Sequence, residues 1–239
     1  MQHDLILDID FDYCIRPTLS RGYDDRARLP TELRIWLRVD ELVAWLKQNN
    51  LFRPDGFAGA VESHEQVLPI WHALMAAGKL HTPFDLIHLD AHPDMMNIDE
   101  DIAQSLDRDG VAGTDMFQHA KPGDFLQYAA RLGWINRLWM VFPDDEGDRI
   151  ASLAGAGVSH ASAIVNKPVE AISESPTGGA DLRVRIGGRR LQVSLHTRFT
   201  LPTMPQQPVA TVLAHSPQFV PPSADDEYRW LAQQLGGVQ

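Results

Sequence analysis

The sequence predicts an α/β fold of three layers, helix on sheet on helix, with a mostly parallel sheet, and three observations carry that expectation. Short apolar runs alternate with amphipathic helical stretches from residue 5 onward, the order that builds strand–helix–strand units. Acidic and histidine clusters follow those runs, at the C-terminal strand ends where open parallel sheets build their sites. The chain has 239 residues, enough to bury a sizeable core, and suits one large domain over 1–239 better than two small ones.

Leu5-Ile6-Leu7 opens the first strand, which runs into DIDFDYC. The polar stretch RPTLSRGYDDRARLP (16–30) reads as a loop. A helix is predicted over 31–50, with Thr31 as N-cap and Leu33, Trp36, Leu37, Leu42, Trp45 and Leu46 recurring at helical intervals. FAGAVESHEQ (57–66) reads as a short strand and loop, and VLPIWHALMAAGK (67–79) as a helix that tolerates Pro69 only near its start. FDLIHLDAHPD (84–94) is a short buried strand with a polar end. Residues 97–123 look irregular, 124–133 return to helix stopped by Gly133, and 135–143 form another strand. From 144 to 210 the pattern weakens, leaving a hairpin around Gly187-Gly188 within 183–196. ATVLAHSPQFVPP (210–222) reads as a strand entering a loop, and a closing helix starts at 224.

Composition narrows the function classes. With 44% hydrophobic and 22% charged residues the chain is of ordinary globular make-up. A net charge of −11 argues against a nucleic-acid partner, which calls for a basic face. The single cysteine, Cys14, excludes an internal disulfide framework and a cysteine-based zinc site. No apolar run is long enough to span a membrane and no secretory signal precedes the first strand, so the expectation is a soluble, cytoplasmic protein. No pattern in the sequence points to an oligomeric interface.

Three clusters stand at the predicted strand ends: Asp8, Asp10 and Asp12; Glu62, His64 and Glu65; Asp90, His92 and Asp94. Residues two apart share a face of a strand, so each cluster offers several donors to one point. Carboxylates gathered in one pocket repel one another unless cations lie between them. A set of four Asp and two His suits Mn²⁺ or a similar divalent ion rather than a thiolate-seeking metal, and two ions about 3.5–4 Å apart can share and activate a water. Each cluster also has a plainer reading. Asp-rich strand ends serve as turn and cap residues, and His64 between two Glu fits a solvated helix start. HLDAHPD is the most unusual of the three, and together they favour a binuclear metal site with Asp8, Asp10, His64, Asp90, His92 and Asp94 as ligands. His88, inside the apolar run, reads as a core residue or one that supports the ligands from behind.

These motifs bring a family into view. DAHPD resembles the second metal motif of the arginase and agmatinase superfamily, VESHEQ stands where that superfamily has its upstream His motif, and LDIDFDYC resembles its Asp-x-Asp motif moved to the N-terminus. The permuted order, with INRLWMVFP and VLAHSPQFVPP later, is similar to an arginase-like family whose members include peptide arginases. The likeness covers 5–143 well and 205–235 loosely, and leaves 144–204 unmatched.

The resemblance implies an arginase-like fold and two Mn²⁺ ions, one held by His64, Asp90, Asp94 and Asp8, the other by His92, Asp90, Asp8 and Asp10. It also implies hydrolysis of arginine side chains in a ribosomal precursor peptide to ornithine and urea, with Asp10 or Asp12 passing a proton to the departing amine. Arginases carry Gly-Gly-Asp before their His, where this chain has Val61-Glu62-Ser63. Their guanidinium-binding Glu has no obvious counterpart; Glu62 and Glu65 are the candidates. His119 is a candidate proton shuttle or an exposed loop residue, and Asp124 a pocket residue or a helix cap.

Three other readings compete. One keeps the fold and changes the substrate to a small guanidino or amide compound. A second is a haloacid-dehalogenase-type phosphatase, with Asp8 as nucleophile and PDDEGD (143–148) as its acidic pair. The third is a metal-stabilised binding protein without catalysis.

Overall fold

The computed structural model describes residues 2–16, 34–110 and 114–236. Strand β1 (Leu5–Asp10) is buried along its whole length, which its apolar composition permits only if both of its edges and both of its faces are covered. The short strands β2 (Ile15–Arg16) and β3 (Arg34–Ile35) pair with each other, antiparallel. Next come α1 (Val39–Gln48), β4 (Phe57–Val61), α2 (Val67–Ala76), β5 (Phe84–Leu89), α3 (Glu100–Asp109) and α4 (Phe125–Arg131). They are followed by β6 (Ile135–Val141), α5 (Gly147–Ala156), α6 (Val158–Val165), β7 (Val169–Glu174), β8 (Ala180–Ile186), β9 (Arg189–His196), β10 (Ala210–Ala214) and α7 (Asp225–Gln234).

Eight strands make one sheet in the order β4-β10-β1-β5-β6-β9-β8-β7. The first six run parallel, and β8 and β7 complete the sheet antiparallel. The molecule is therefore an α/β protein built on a large, mostly parallel central sheet.

Alternation along the strands divides the core in two. Ile6, Leu86, Leu138, Met140 and Val212 pack in a cluster with Val67, Leu68 and Trp71 of α2, Phe125 and Leu126 of α4, and Ile150 and Leu153 of α5. Leu7, Ile9, Ile87, Leu89, Val141 and Leu213 pack instead with Val39, Leu42 and Leu46 of α1 and Tyr228 and Leu231 of α7. Asp8 and Asp10 follow Ile6 at intervals of two, and His88 follows Leu86. These polar residues thus continue the face that looks toward α2 and α4.

Several expected elements take different bounds. The helix expected over 31–50 begins at Val39; Thr31 and Leu33 lie outside the described residues, as does the loop expected at 16–30 beyond Arg16. Trp36 fits helical spacing, yet its backbone N–H donates to Cys14 O at 3.0 Å and its indole to Tyr13 O at 2.9 Å, so this segment pairs with the chain after β1. Tertiary hydrogen bonds override a local helical preference there.

The stretch 97–123 is not wholly irregular: it holds α3, capped by Asp99, whose carboxylate accepts the Asp101 N–H at 2.9 Å. Only Ala103 and Leu106 of α3 are buried, too thin a stripe to stand out in the sequence. Likewise 144–210 holds α5, α6 and β7 besides the expected hairpin, which β8 and β9 form across Gly187-Gly188. Gly187 has φ +57°, as a tight hairpin turn requires. Among the described residues no helix is long and apolar enough to cross a membrane.

Trp71 is fully buried and packs edge-on against Phe84 at 5.6 Å, with Phe125 at 6.0 Å. Replacing it with alanine leaves a cavity behind the sheet face that bears the polar cluster. Trp71→Ala is expected to destabilise the protein by about 3–5 kcal/mol, read as a lowered urea midpoint at an unchanged denaturant slope.

Candidate metal centre

Four parallel strands, β4, β10, β1 and β5, deliver side chains to one point beyond or at their C-terminal ends. β1 supplies Asp8 from within the strand and Asp10 from its last position, and the single 3-10 turn that follows supplies Asp12. Asp8 lies beside His88 in the β1–β5 register, so the two meet across adjacent strands. The loop after β5 brings Asp90, His92 and Asp94, with His92 N–H donating to Asp90 Oδ1 at 2.7 Å. Asp94 has φ +45°, a left-handed backbone that aspartate tolerates better than most residues.

His64 comes from the turn after β4. The Gln66 side-chain oxygen accepts the backbone N–H groups of Glu62 at 3.1 Å and Ser63 at 3.3 Å, a capping box that fixes the turn. The His64 ring is fully buried, so it is no solvated helix start; it lies against Phe125 at 4.5 Å and stacks with His88 at 5.2 Å.

The polar atoms converge closely. His64 Nε2 is 3.0 Å from Asp8 Oδ2, while His64 Nδ1 lies 3.0 Å from Asp10 Oδ2, 3.1 Å from Asp90 Oδ2 and 3.0 Å from Asp94 Oδ2. His88 Nδ1 is 2.8 Å from Asp8 Oδ2 and its Nε2 3.2 Å from Asp90 Oδ2. His92 Nδ1 is 2.9 Å from Asp12 Oδ2. One ring nitrogen bears at most one proton and cannot satisfy three carboxylates. Accordingly His64 Nδ1, His88 Nε2, Asp90 Oδ2 and Asp8 Oδ1 are buried with no hydrogen bond of proper geometry.

Such orphaned donors and acceptors are rare in a packed interior, and a bound ion could satisfy them. Their chemistry, imidazole and carboxylate, suits divalent ions. Among the described residues, four groups of atoms lie close enough to hold an ion: Asp8–His64–His88, Asp10–His64–Asp90, Asp12–Asp90–His92 and His88–Asp90–Asp94.

In the absence of cations, protons do the balancing. Burial works against ionising Asp8, but His64 and His88 hold it below the usual carboxylate range. Burial likewise opposes ionised Asp90, and the close approach of the three histidines holds it well below. Burial disfavours a charged His64, yet Asp8 and Asp10 push it well above the ordinary imidazole range; His92 goes the same way beside Asp12 and Asp90. Burial disfavours a charged His88, but its bond to Asp8 and the nearness of Asp90 outweigh that and raise it to about 10. Burial, with Asp10 and Asp90 nearby, lifts Asp12 to about 7, and burial with Asp90 lifts Asp94 well above normal. A cation entering the cluster displaces these protons.

Of the residues singled out in the sequence, Asp8, Asp10, Asp12, His64, Asp90, His92 and Asp94 meet in one place, all buried but for the 16% exposed side chain of His92. His88 joins them as a potential ligand, which its i, i+2 spacing to Asp90 signals once the apolar run is read as a strand. Glu62 is exposed and reaches His215 Nδ1 at 3.2 Å, and Glu65 is half-buried with its carboxylate held by Ser63 Oγ at 2.5 Å. His119 is exposed at the end of its 3-10 turn. Asp124 is buried before α4, but its carboxylate accepts the Lys121 N–H at 2.8 Å rather than a helix N–H, and burial lifts it to about 6.

Ser216, whose hydroxyl donates to Asp10 Oδ2 at 2.5 Å, was not marked in the sequence. Compared with family models, curated proteins and solved structures, the chain matches none.

The Asp12 carboxyl gives a pH test on metal-free protein. Its folded pKa of about 7 exceeds the ordinary 3.8, so the unfolded chain ionises first as pH rises. The stability this group contributes is full below about 4 and is lost as pH climbs to about 7. Asn cannot ionise, so Asp12→Asn is expected to gain on the native chain as pH rises from 4.5 to 8 in chelator. Urea unfolding at both pH values measures it, and a pH-independent difference counts against the assignment.

Proposed function

We propose that this chain is a binuclear-metal hydrolase of arginase-like, three-layer architecture that cleaves the arginine side chain of a precursor peptide to ornithine and urea. The observation that carries the metal part is the buried cluster of five Asp and three His with orphaned polar atoms. The guanidine chemistry rests on the resemblance of DAHPD, VESHEQ and LDIDFDYC to arginase-like motifs.

Asp90 takes part in three of the four potential ligand groups among the described residues, so it would contribute to holding more than one ion. The resemblance pairs Asp10 with His92, but the distances favour His64 with Asp8, Asp10 and Asp94 for one ion and His92 with Asp12 for the other; His88 is a further donor. When bound, two Mn²⁺ ions would offset the carboxylate charge and supply Lewis acidity that activates water.

The chain's own residues then orient and exclude. Phe125 walls the histidines off from the core, and His92, packed at 4.7 Å against Phe219, is the partly exposed member through which a substrate side chain would enter. Arginine suits such an entrance: its slender stem reaches inward while the peptide backbone stays outside. Asp12 Oδ1 accepts the Ala91 N–H at 3.3 Å and Oδ2 faces His92, so this pair is placed to hold a proton for the departing amine. The chain's net charge of −11, part of it in the buried cluster, favours a basic peptide. His119, exposed, is left out of the proton path.

The phosphatase alternative fits less well. Asp8 is fully buried with Oδ2 shared between two imidazoles, where an in-line nucleophile needs an oxygen facing open space. In 143–148, Asp144 is held by Arg198, Asp145 by Arg16 and Glu146 by Arg149.

Mn²⁺-loaded protein is expected to release urea from arginine-containing peptides and not from free arginine. Urea from free arginine instead would make the chain a small-molecule ureohydrolase, and none from either would refute the guanidine chemistry. Independently, Mn²⁺ is expected to raise the melting temperature of the native protein and not of Asp90→Ala, as differential scanning fluorimetry would show.

A further inference from the structure

We infer that Ser216 is a positioning residue for Asp10, an assignment that rests on the metal reading above. After β10 the chain turns back over the site. His215 N–H donates to Val61 O at 2.9 Å and Ser216 N–H to Glu62 O at 3.0 Å, stapling this turn to the segment that carries His64. The His215 ring braces it from outside, stacked on Tyr228 at 4.2 Å, with Nδ1 3.2 Å from Glu62 Oε2 and Nε2 3.2 Å from Asp225 Oδ1.

Ser216 itself is fully buried and has φ +48°. That left-handed backbone disfavours any residue with a Cβ and persists only where the surroundings enforce it. Glycine would adopt it freely. Serine brings a hydroxyl, and the hydroxyl donates to Asp10 Oδ2 at 2.5 Å. The other oxygen, Oδ1, accepts the Asp12 N–H at 3.1 Å.

With one bond to each oxygen the Asp10 carboxylate cannot rotate, and Oδ2 is held 3.0 Å from His64 Nδ1, facing the remaining ligands. The strain at residue 216 is thus coupled to the aim of one ligand.

The consequence is selective. Of the four potential ligand groups only Asp10–His64–Asp90 contains Asp10. Losing the hydroxyl weakens the ion that Asp10 holds and spares the other. Partners that orient ligands typically contribute about 10–100-fold in metal affinity.

The experiment is calorimetric titration of chelator-stripped protein with Mn²⁺, alongside unfolding of the metal-free form, for the native chain, Ser216→Ala and Ser216→Gly. The native chain is expected to bind two ions. Both variants should bind one of them about 10–100-fold more weakly and the other with native affinity. Ser216→Gly, whose relief of backbone strain offsets part of the lost hydrogen bond, should fold metal-free better than the alanine variant, so a poorly folding alanine variant leaves the test intact. Native affinities for both ions in the variants would overturn the assignment, as would equal weakening of both ions with lower metal-free stability. A native chain that binds no Mn²⁺ would overturn the metal reading and this inference together, a result distinct from the other two.

Discussion

Five carboxylates and three imidazoles share one volume from which water is almost wholly excluded, and the rest of the architecture answers to that concentration of charge. Ionised carboxylates in a low-dielectric interior need countercharge at contact distance. Here the histidines provide it by taking up protons, while Asp12 and Asp94, by keeping theirs, lower the negative charge that has to be met. The same atoms that compete for too few protons form four overlapping groups with ligand spacing. Buried acidity and metal capacity are two aspects of one arrangement.

A parallel sheet is what makes the arrangement possible. Neighbouring parallel strands end on the same side, so four of them deliver short polar segments to one edge without any long loop having to fold back. Each segment is then tied down by backbone bonds: the Asp12 carboxylate to Ala91 N–H, the β10 turn to Val61 and Glu62, the loop after Asp94 by Met96 N–H to Gly123 O. Rotamers fixed in this way keep donors within reach of a common point at little further entropic cost on binding.

Next to the cluster lies a rim of a different kind. Arg16 and Arg198 each lie over Trp36, at 4.8 and 5.3 Å, and pair with Asp145 and Asp144 beyond the end of β6. These bonds connect the chain after β1 to the segments after β6 and β9, and so brace the edge where β1 ends. The acidic run 143–148 that invites a catalytic reading in the sequence is engaged here in holding arginines.

The sequence by itself determined the α/β class, the strands that bear the cluster and seven of the side chains that meet there, because strand alternation and the DAHPD and DIDFD spacings are local properties of the chain. It also carries the motif resemblance on which the proposed guanidine substrate rests, a matter on which the geometry of the cluster is silent. Only the tertiary structure decided that His64 is buried, that His88 belongs to the cluster, and that Ser216, far along the chain, aims Asp10. It also decided that 34–36 pair with the chain after β1 instead of belonging to a helix, and that Glu62 turns to His215. Each of these depends on which strands become neighbours. β1 lies between β5 and β10, segments distant in sequence, and no periodicity within one stretch records what the adjoining strand will place beside it.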